Sequence, residues 1–165
     1  MMDSLFEFKV ISKHRMVSHY YLKFERCLES LNNDQIWFKE SDDLNSIGGI
    51  IVHIIEHIQR NTQRIMKPGI TYKFGIENTF KDLKNDKKSL QADLKQTFLE
   101  FEYAISKAEA IDMYNIYHLV EHTGYHLGQV VDRAQRVTGE RFQFVQSGIN
   151  ERTLKNYIEK DISSG

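Results

Sequence analysis

The chain has 165 residues, of which 41% are hydrophobic and 27% are charged. This is the size and composition of a single globular domain, residues 1–165, with a hydrophobic core. The 22 basic and 23 acidic residues leave a formal net charge of −1, which gives no electrostatic reason to expect a nucleic-acid or membrane-surface partner. A single cysteine, Cys27, excludes an intramolecular disulfide. With no signal-peptide pattern and no apolar run of about 20 residues, we expect a cytoplasmic protein.

Apolar residues recur at helical spacing in four long segments that are separated by short polar breaks. The first predicted helix covers about Ser4–Ser30, with Ser4 as its N-cap, and a connector containing Gln35–Phe38 follows it. The second predicted helix begins near Asn45 or Ser46, since either residue is a good N-cap. It ends before residues 67–69, Lys-Pro-Gly, because proline restricts the residue that precedes it.

Residues 70–79 show no helical period and predict a loop or a short extended segment. The third predicted helix covers about Phe80–Ala108, with Leu83 among its inward side chains, and the fourth runs from near Met113 to Val137 or Thr138. A short helix around residues 151–159 is predicted in the tail, residues 141–165. The expected fold is an all-α bundle of four long helices, with its core at about residues 5–140 and a short C-terminal extension.

Five of the seven histidines fall into two clusters with i, i+4 spacing: His53 and His57 on the second helix, and His118, His122 and His126 on the fourth. This spacing places imidazoles on one helix face, with Cβ atoms roughly 5–6 Å apart. Neutral imidazole is a preferred ligand of zinc and nickel. Two histidines from one helix and one from its neighbour would hold a divalent metal and leave coordination positions open, as in catalytic sites.

A helical wheel places His126 roughly 80–90° and His122 about 120° from the centre of the apolar stripe of the fourth helix. Both histidines therefore flank the core, whereas His118 points outward. On the second helix His57 lies about 80° and His53 about 120° from the centre. The spacing leaves both residues open as ligands and mildly favours His57.

Other polar residues are candidates for supporting roles around the metal site. Gln129 lies three residues after His126 and could support its ring, and Tyr125 could line the cleft. His14 and His19 are five residues apart, which does not place them on one helix face, so they are interpreted as unrelated to the metal.

Two motifs resemble those of a known family. The segment His-Thr-Gly-Tyr-His-Leu-Gly-Gln-Val, residues 122–130, resembles the HxxYHxGQI signature on the last long helix of DinB-like proteins. Residues 44–53, Leu-Asn-Ser-Ile-Gly-Gly-Ile-Ile-Val-His, resemble the NSIGxxxxH start of their second helix, and residues 35–38 resemble their connector. The similarity spans roughly residues 5–140, includes the order of the helices, and is greatest to a small, largely uncharacterised bacterial subgroup.

The resemblance implies an up-down-down-up four-helix bundle, a homodimer, and a divalent metal held by His53, His122 and His126. It thus selects His53 and leaves open whether His57 replaces or assists it. Characterised relatives include bacillithiol transferases and a mycothiol-dependent maleylpyruvate isomerase, in which the metal activates a low-molecular-weight thiol as a thiolate. The loop after the second helix, which begins at Pro68, lacks the acidic and arginine residues usual in the similar subgroup.

Two hypotheses about function follow. The first is a nickel- or zinc-dependent enzyme, a thiol S-transferase or a hydrolase, whose partners are a small-molecule substrate such as a thiol and a second copy of the chain. The alternative is a non-catalytic metal-binding or stress-associated dimeric helical module. Nitrogen ligands accept several divalent metals, so the identity of the metal depends on its availability in the cell.

Overall fold

The computed structural model describes residues 3–165, and within that range the chain is helical with no β-strand. The helices are α1 (Ser4–His14), α2 (Tyr21–Glu29), α3 (Asn33–Trp37), α4 (Ile47–Met66), α5 (Lys87–Lys107), α6 (Met113–Thr138) and α7 (Glu151–Ser164). A π-helical turn (Arg15–Tyr20) joins α1 to α2, and a 3₁₀ turn (Ile76–Asn78) precedes α5. The prediction of an all-α fold is confirmed.

The first predicted helix is one continuous helical segment formed by α1, the π-helical turn and α2. Ser4 is not its N-cap, as the sequence suggested, but its first helical residue. The cap is Asp3, whose Oδ1 accepts a hydrogen bond from the backbone N–H of Leu5 at 2.9 Å. Aspartate and serine are equally good caps, so composition alone could not place this boundary. The connector that follows contains the short helix α3.

Helix α4 begins as the sequence predicted, with Ser46 as its N-cap and Met66 as its last residue. The Ser46 hydroxyl accepts a hydrogen bond from the backbone N–H of Gly49 at 2.9 Å. All residues from 47 to 55 are buried, and the Trp37 ring lies directly against Gly48, where a larger residue would overlap it. The first half of α4 is therefore enclosed on every side, which fixes the helix that carries His53.

The prediction that the third helix starts at Phe80 is wrong, because α5 begins at Lys87 and has Asp86 as its N-cap. Residues 80–86 instead have no regular secondary structure. Leu83, which was expected in the core, is 50% exposed. The side chains of these residues permit a helix, so the cause lies in tertiary contacts.

Two hydrogen bonds hold residues 80–86 against the start of α4 and the connector before it. The Ser46 hydroxyl donates a hydrogen bond to Asp82 Oδ1 at 2.7 Å, and the Trp37 indole N–H donates to the carbonyl oxygen of Asn85 at 2.9 Å. A carbonyl in the interior of a helix would already be paired within that helix. The extended path satisfies the indole N–H and brings Phe80 over the first half of α4, against His53.

Several helix ends meet at one end of the molecule. The Lys87 ammonium donates hydrogen bonds to the carbonyl oxygens of Glu29 and Leu31 at 2.9 and 2.8 Å, which joins the start of α5 to the end of α2. Near the end of α6, the Arg133 guanidinium donates to the carbonyl oxygen of Asn45, just before α4. The end of α2, the starts of α4 and α5, and the last turns of α6 are therefore neighbours.

Helix α6 has the predicted bounds, and Gly139, with a φ of 72°, ends it. The tail helix α7 is longer than the predicted residues 151–159 and reaches Ser164. Its length follows from packing against α1, because Lys13 and His14 both contact Asp161. Among residues 3–165, no helix combines the length and the apolar character needed to cross a membrane.

Candidate metal centre

Three imidazoles converge between α4 and α6. The Nε2 atom of His122 lies 3.3 Å from His53 Nε2 and 3.2 Å from His126 Nε2. One nitrogen from each of the three rings falls within 4.8 Å of the others. His53 and His126 are buried, and His122 is half-buried. These three close histidines could hold a metal ion.

Hydrogen bonds on the far side of two rings fix the direction of their lone pairs. His53 Nδ1 donates to the backbone carbonyl oxygen of Thr79 at 2.9 Å, since a carbonyl oxygen can only accept. His126 Nδ1 donates to the amide oxygen of Gln129 at 2.8 Å. A neutral imidazole with a proton on Nδ1 has its lone pair on Nε2. Both lone pairs therefore point to the same place, in the arrangement that outer hydrogen bonds give to metal-binding histidines.

The spacing of the nitrogens suits a small divalent ion. Zinc–imidazole bonds of about 2.0–2.1 Å at tetrahedral angles place two ligand nitrogens about 3.3 Å apart. The two Nε2 separations from His122, 3.3 and 3.2 Å, have this value. Three nitrogen donors suit zinc, nickel and other divalent ions of similar hardness. The donor set thus fits a metal in chemistry and in distance.

Burial keeps these imidazoles neutral. Desolvation lowers the pKa of His53 and of His126, and desolvation together with the neighbouring histidines lowers the pKa of His122 to about 3. Since the charged form is disfavoured in a poorly solvated environment, all three rings are neutral at pH 7. A neutral ring is the form that offers a lone pair to a metal.

His57 lies beside this group but outside it. Its ring centroid is 4.1 Å from that of His122, and its buried Nε2 has no hydrogen-bond partner within residues 3–165. Burial also lowers the pKa of His57 to about 3. The wheel could not separate His53 from His57 because both are buried on this enclosed helix. His118 is exposed, as predicted, with its ring centroid 5.9 Å from that of His122.

The segment before α5 contributes two groups that no sequence pattern indicated. The Phe80 ring stacks on the His53 ring, with centroids 4.1 Å apart and planes 20° apart. The carbonyl oxygen of Thr79 orients the same imidazole. A backbone carbonyl carries no residue-type signal, and Phe80 was assigned to a helix. Both groups close one side of the His53 ring.

Gln129 and Tyr125 lie on the other side of the group. Gln129 orients His126, and its amide nitrogen donates to the Tyr125 hydroxyl at 3.4 Å. The Tyr125 ring meets the His126 ring edge-on at 5.1 Å and is 66% exposed. This chain of contacts links His126 to the surface of the molecule.

The remaining histidines and the cysteine belong to other parts of the fold. His14 and His19 are buried, with His14 Nε2 2.8 Å from an Asp161 oxygen and His19 Nε2 3.6 Å from a Glu151 oxygen, both on α7. Cys27 lies in the core, where burial raises the pKa of its thiol to about 12. None of the three contributes to the histidine group.

No family model, curated protein or solved structure matches this chain. The geometry of the site and the motifs of the sequence are therefore the basis for assigning a function.

Proposed function

We propose that this protein is a DinB-like, divalent-metal-dependent enzyme that acts on a small molecule by thiol S-transfer or hydrolysis. The observation that carries the proposal is the convergence of the Nε2 atoms of His53, His122 and His126. These residues come from two helices and occupy the positions that the DinB-like motifs imply. Three protein ligands leave room for an exchangeable ligand, which is the arrangement of a catalytic metal rather than of a closed structural one.

The placement of the helix ends supports the corresponding bundle. The end of α2 adjoins the start of α5, and the last turns of α6 adjoin the residue before α4. The Trp37 and Ser46 contacts bring the start of α5 near the start of α4. A chain that runs up through α1 and α2, down through α4, down again through α5 and up through α6 satisfies all of these contacts.

The residues around the site have distinct roles in this proposal. His53, His122 and His126 would hold the metal, and Thr79 and Gln129 keep two of the rings oriented. A bound divalent metal would supply Lewis acidity and lower the pKa of a coordinated thiol or water. Phe80 covers the His53 ring and excludes water from that side.

Metal analysis of the purified protein tests the metal site. After loading with zinc or nickel and removal of excess metal, we expect about one ion per chain, and His53→Ala, His122→Ala and His126→Ala should each lose it because an incomplete ligand set binds weakly. His57→Ala is the matched control, since it removes a buried imidazole of the same cluster that is outside the ligand set. Retention of a full equivalent by His122→Ala would contradict the site.

Turnover tests the reaction. The metal-loaded protein is incubated with a thiol and an alkylating electrophile, and separately with an activated ester. We expect a metal-dependent rate in one of the two assays that His126→Ala abolishes. Full metal occupancy without turnover in either assay would instead support a non-catalytic metal-binding module. Light scattering would then test whether that module is a dimer.

A further inference from the structure

A cavity of about 390 Å³ lies between the second half of α4 and the start of α6. This volume is within the range of pockets that bind small molecules, about 300–1,000 Å³. Its walls include the aliphatic side chains of Ile65, Ile70, Ile111 and Ile116, and its polar groups include Asn61, Arg64 and Asn115. None of these residues belongs to the histidine group.

The cavity lies on the same helix pair as the three histidines. Asn61 follows His53 by eight residues on α4, and Asn115 precedes His122 by seven on α6. Because the helices pair in opposite directions, both displacements lead the same way, and at 1.5 Å per residue they correspond to roughly 10–12 Å along the helix axes. His57 lies between, and the Asn61 amide donates a hydrogen bond to its carbonyl oxygen at 2.9 Å.

The cavity wall contains one basic side chain, Arg64, and one acidic side chain, Asp112. The Arg64 guanidinium lies over the Tyr72 ring, 5.4 Å from its centroid, and no carboxylate is within ion-pair distance of it among residues 3–165. The Asp112 carboxylate caps the start of α6, where its two oxygens accept hydrogen bonds from the backbone N–H and side-chain amide of Asn115. Within the described residues, Arg64 therefore has no ion-pair partner and Asp112 has its hydrogen-bond partners on its own helix. Stacking on Tyr72 leaves the edge of the guanidinium available to an anion.

We infer that this cavity binds a small organic carboxylate, whose apolar part packs against the isoleucines and whose carboxylate pairs with Arg64. A guanidinium next to apolar walls favours this combination, since the charge-assisted hydrogen bonds orient the ligand and the walls supply the contact area. If the ligand is the substrate, its carboxylate end would bind in this cavity and its reacting end would extend toward the histidines. That last step rests on the proposed metal-dependent function, whereas binding in the cavity does not.

Binding of phenylbutyrate to the metal-free protein tests the inference, with phenylbutyramide as the uncharged ligand of the same shape. Protein-observed NMR in the presence of EDTA gives both affinities without any need for metal. We expect saturable binding of the acid at millimolar concentration or below, and roughly tenfold weaker binding of the amide, because a charge-assisted hydrogen bond is lost. Resonances of Ile116 and Asn115 should shift.

The matched control is a second arginine on the same ring. Arg60 also stacks on Tyr72, at 5.0 Å, but it is not in the wall of this cavity. Arg64→Gln should remove the preference for the acid, and Arg60→Gln should retain it. Ala110→Trp, at the exposed rim, should block both ligands without changing the core.

The inference is overturned if phenylbutyrate shows no saturable binding, if acid and amide bind equally, or if Arg64→Gln and Arg60→Gln behave alike. Failure of the metal site would leave all of these measurements unchanged, so the two proposals fail separately.

Discussion

At the scale of single residues, the histidine group depends on groups that never touch a metal. Gln129 accepts a hydrogen bond from His126 Nδ1, and the carbonyl oxygen of Thr79 accepts one from His53 Nδ1. Only the first of these can be removed by a side-chain substitution. Gln129 is therefore the position at which the role of orientation can be measured apart from ligation.

Gln129→Leu should lower the affinity for zinc by about 10–100-fold, because it leaves His126 in place but removes the acceptor that holds its tautomer and ring orientation. Competition with a chromogenic chelator gives the affinity. Gln96→Leu is the control, since Gln96 is an exposed α5 residue whose amide donates a hydrogen bond to the exposed side chain of Glu100 on the same helix. Equal affinities of Gln129→Leu and the unmodified protein would remove Gln129 from the site.

A second residue-scale prediction concerns His19, which is remote from the metal ligands. Desolvation, with the nearby cations Lys23 and Arg15, lowers the pKa of His19 to about 4, and Glu151 opposes this only in part. The folded protein thus binds the proton less well than the unfolded chain, whose histidine pKa is about 6.5. The contribution of neutral His19 to stability is present above pH 6.5 and is lost as the pH falls toward 4.

Urea denaturation of the protein and of His19→Gln in EDTA, from pH 7.5 to pH 4, measures this contribution. The stability advantage of the unmodified protein over His19→Gln should shrink by roughly 1–3 kcal/mol across that range. Taking the difference between the two proteins cancels the titration of the other buried histidines. A gap that stays constant with pH would show that His19 is not held neutral by the fold.

At the scale of elements, the packing of Trp37 on α4 fixes the helix that carries His53. Gly48→Ala should destabilise the protein by about 1–3 kcal/mol, because the added Cβ would overlap the Trp37 ring. Gly128→Ala on α6 is the matched control: a Cβ there meets nothing within 4 Å. In that case the higher helix propensity of alanine should add roughly 0.5–1 kcal/mol. Urea denaturation of both variants measures the change in the free energy of unfolding. Equal changes for the two variants would exclude close packing at Gly48.

A comparison of α5 and α6 explains why some helix boundaries could be predicted from the sequence and others could not. Helix α6 was predicted at its correct bounds because its apolar period is long and Gly139 stops it. The start of α5 was missed because residues 80–86 are held by Trp37 and Ser46, which are distant in sequence. The local sequence pattern indicates a helix and its stop signal, but it does not indicate contacts with residues that are distant in the sequence.

The candidate site, like the helices, was predicted in part from local sequence pattern and depends in part on tertiary packing. Spacing alone placed pairs of histidines on two helices, but it could not choose between His53 and His57, since a helix enclosed on all sides has no single buried face. Both rings lie beside His122, and which of them turns its Nε2 atom toward His122 Nε2 depends on how α4 is rotated against α6. In the prediction, the motif similarity selected His53. In the structure, the Thr79 carbonyl oxygen accepts a hydrogen bond from His53 Nδ1 and so helps to orient that ring.

At the scale of the whole molecule, the three histidines connect two helices that are far apart in the chain. Between α4 and α6 lie the segment around Phe80 and all of α5. A metal held by His53 and by His122 and His126 would join these helices only in the folded state. Metal affinity should therefore appear directly as stability of the fold.

Zinc at about a thousandfold excess over its dissociation constant should stabilise the folded protein by roughly 4 kcal/mol, if the unfolded chain binds it negligibly. For a domain of this size that corresponds to a rise in Tm of about 8–16 °C, measured by calorimetry. His118→Ala, which removes an exposed imidazole from the same helix, should show the full rise, and His122→Ala should show little. If zinc raised the Tm of His122→Ala as much as that of the unmodified protein, the stabilising ion would be bound elsewhere, and the link between α4 and α6 would have to be abandoned.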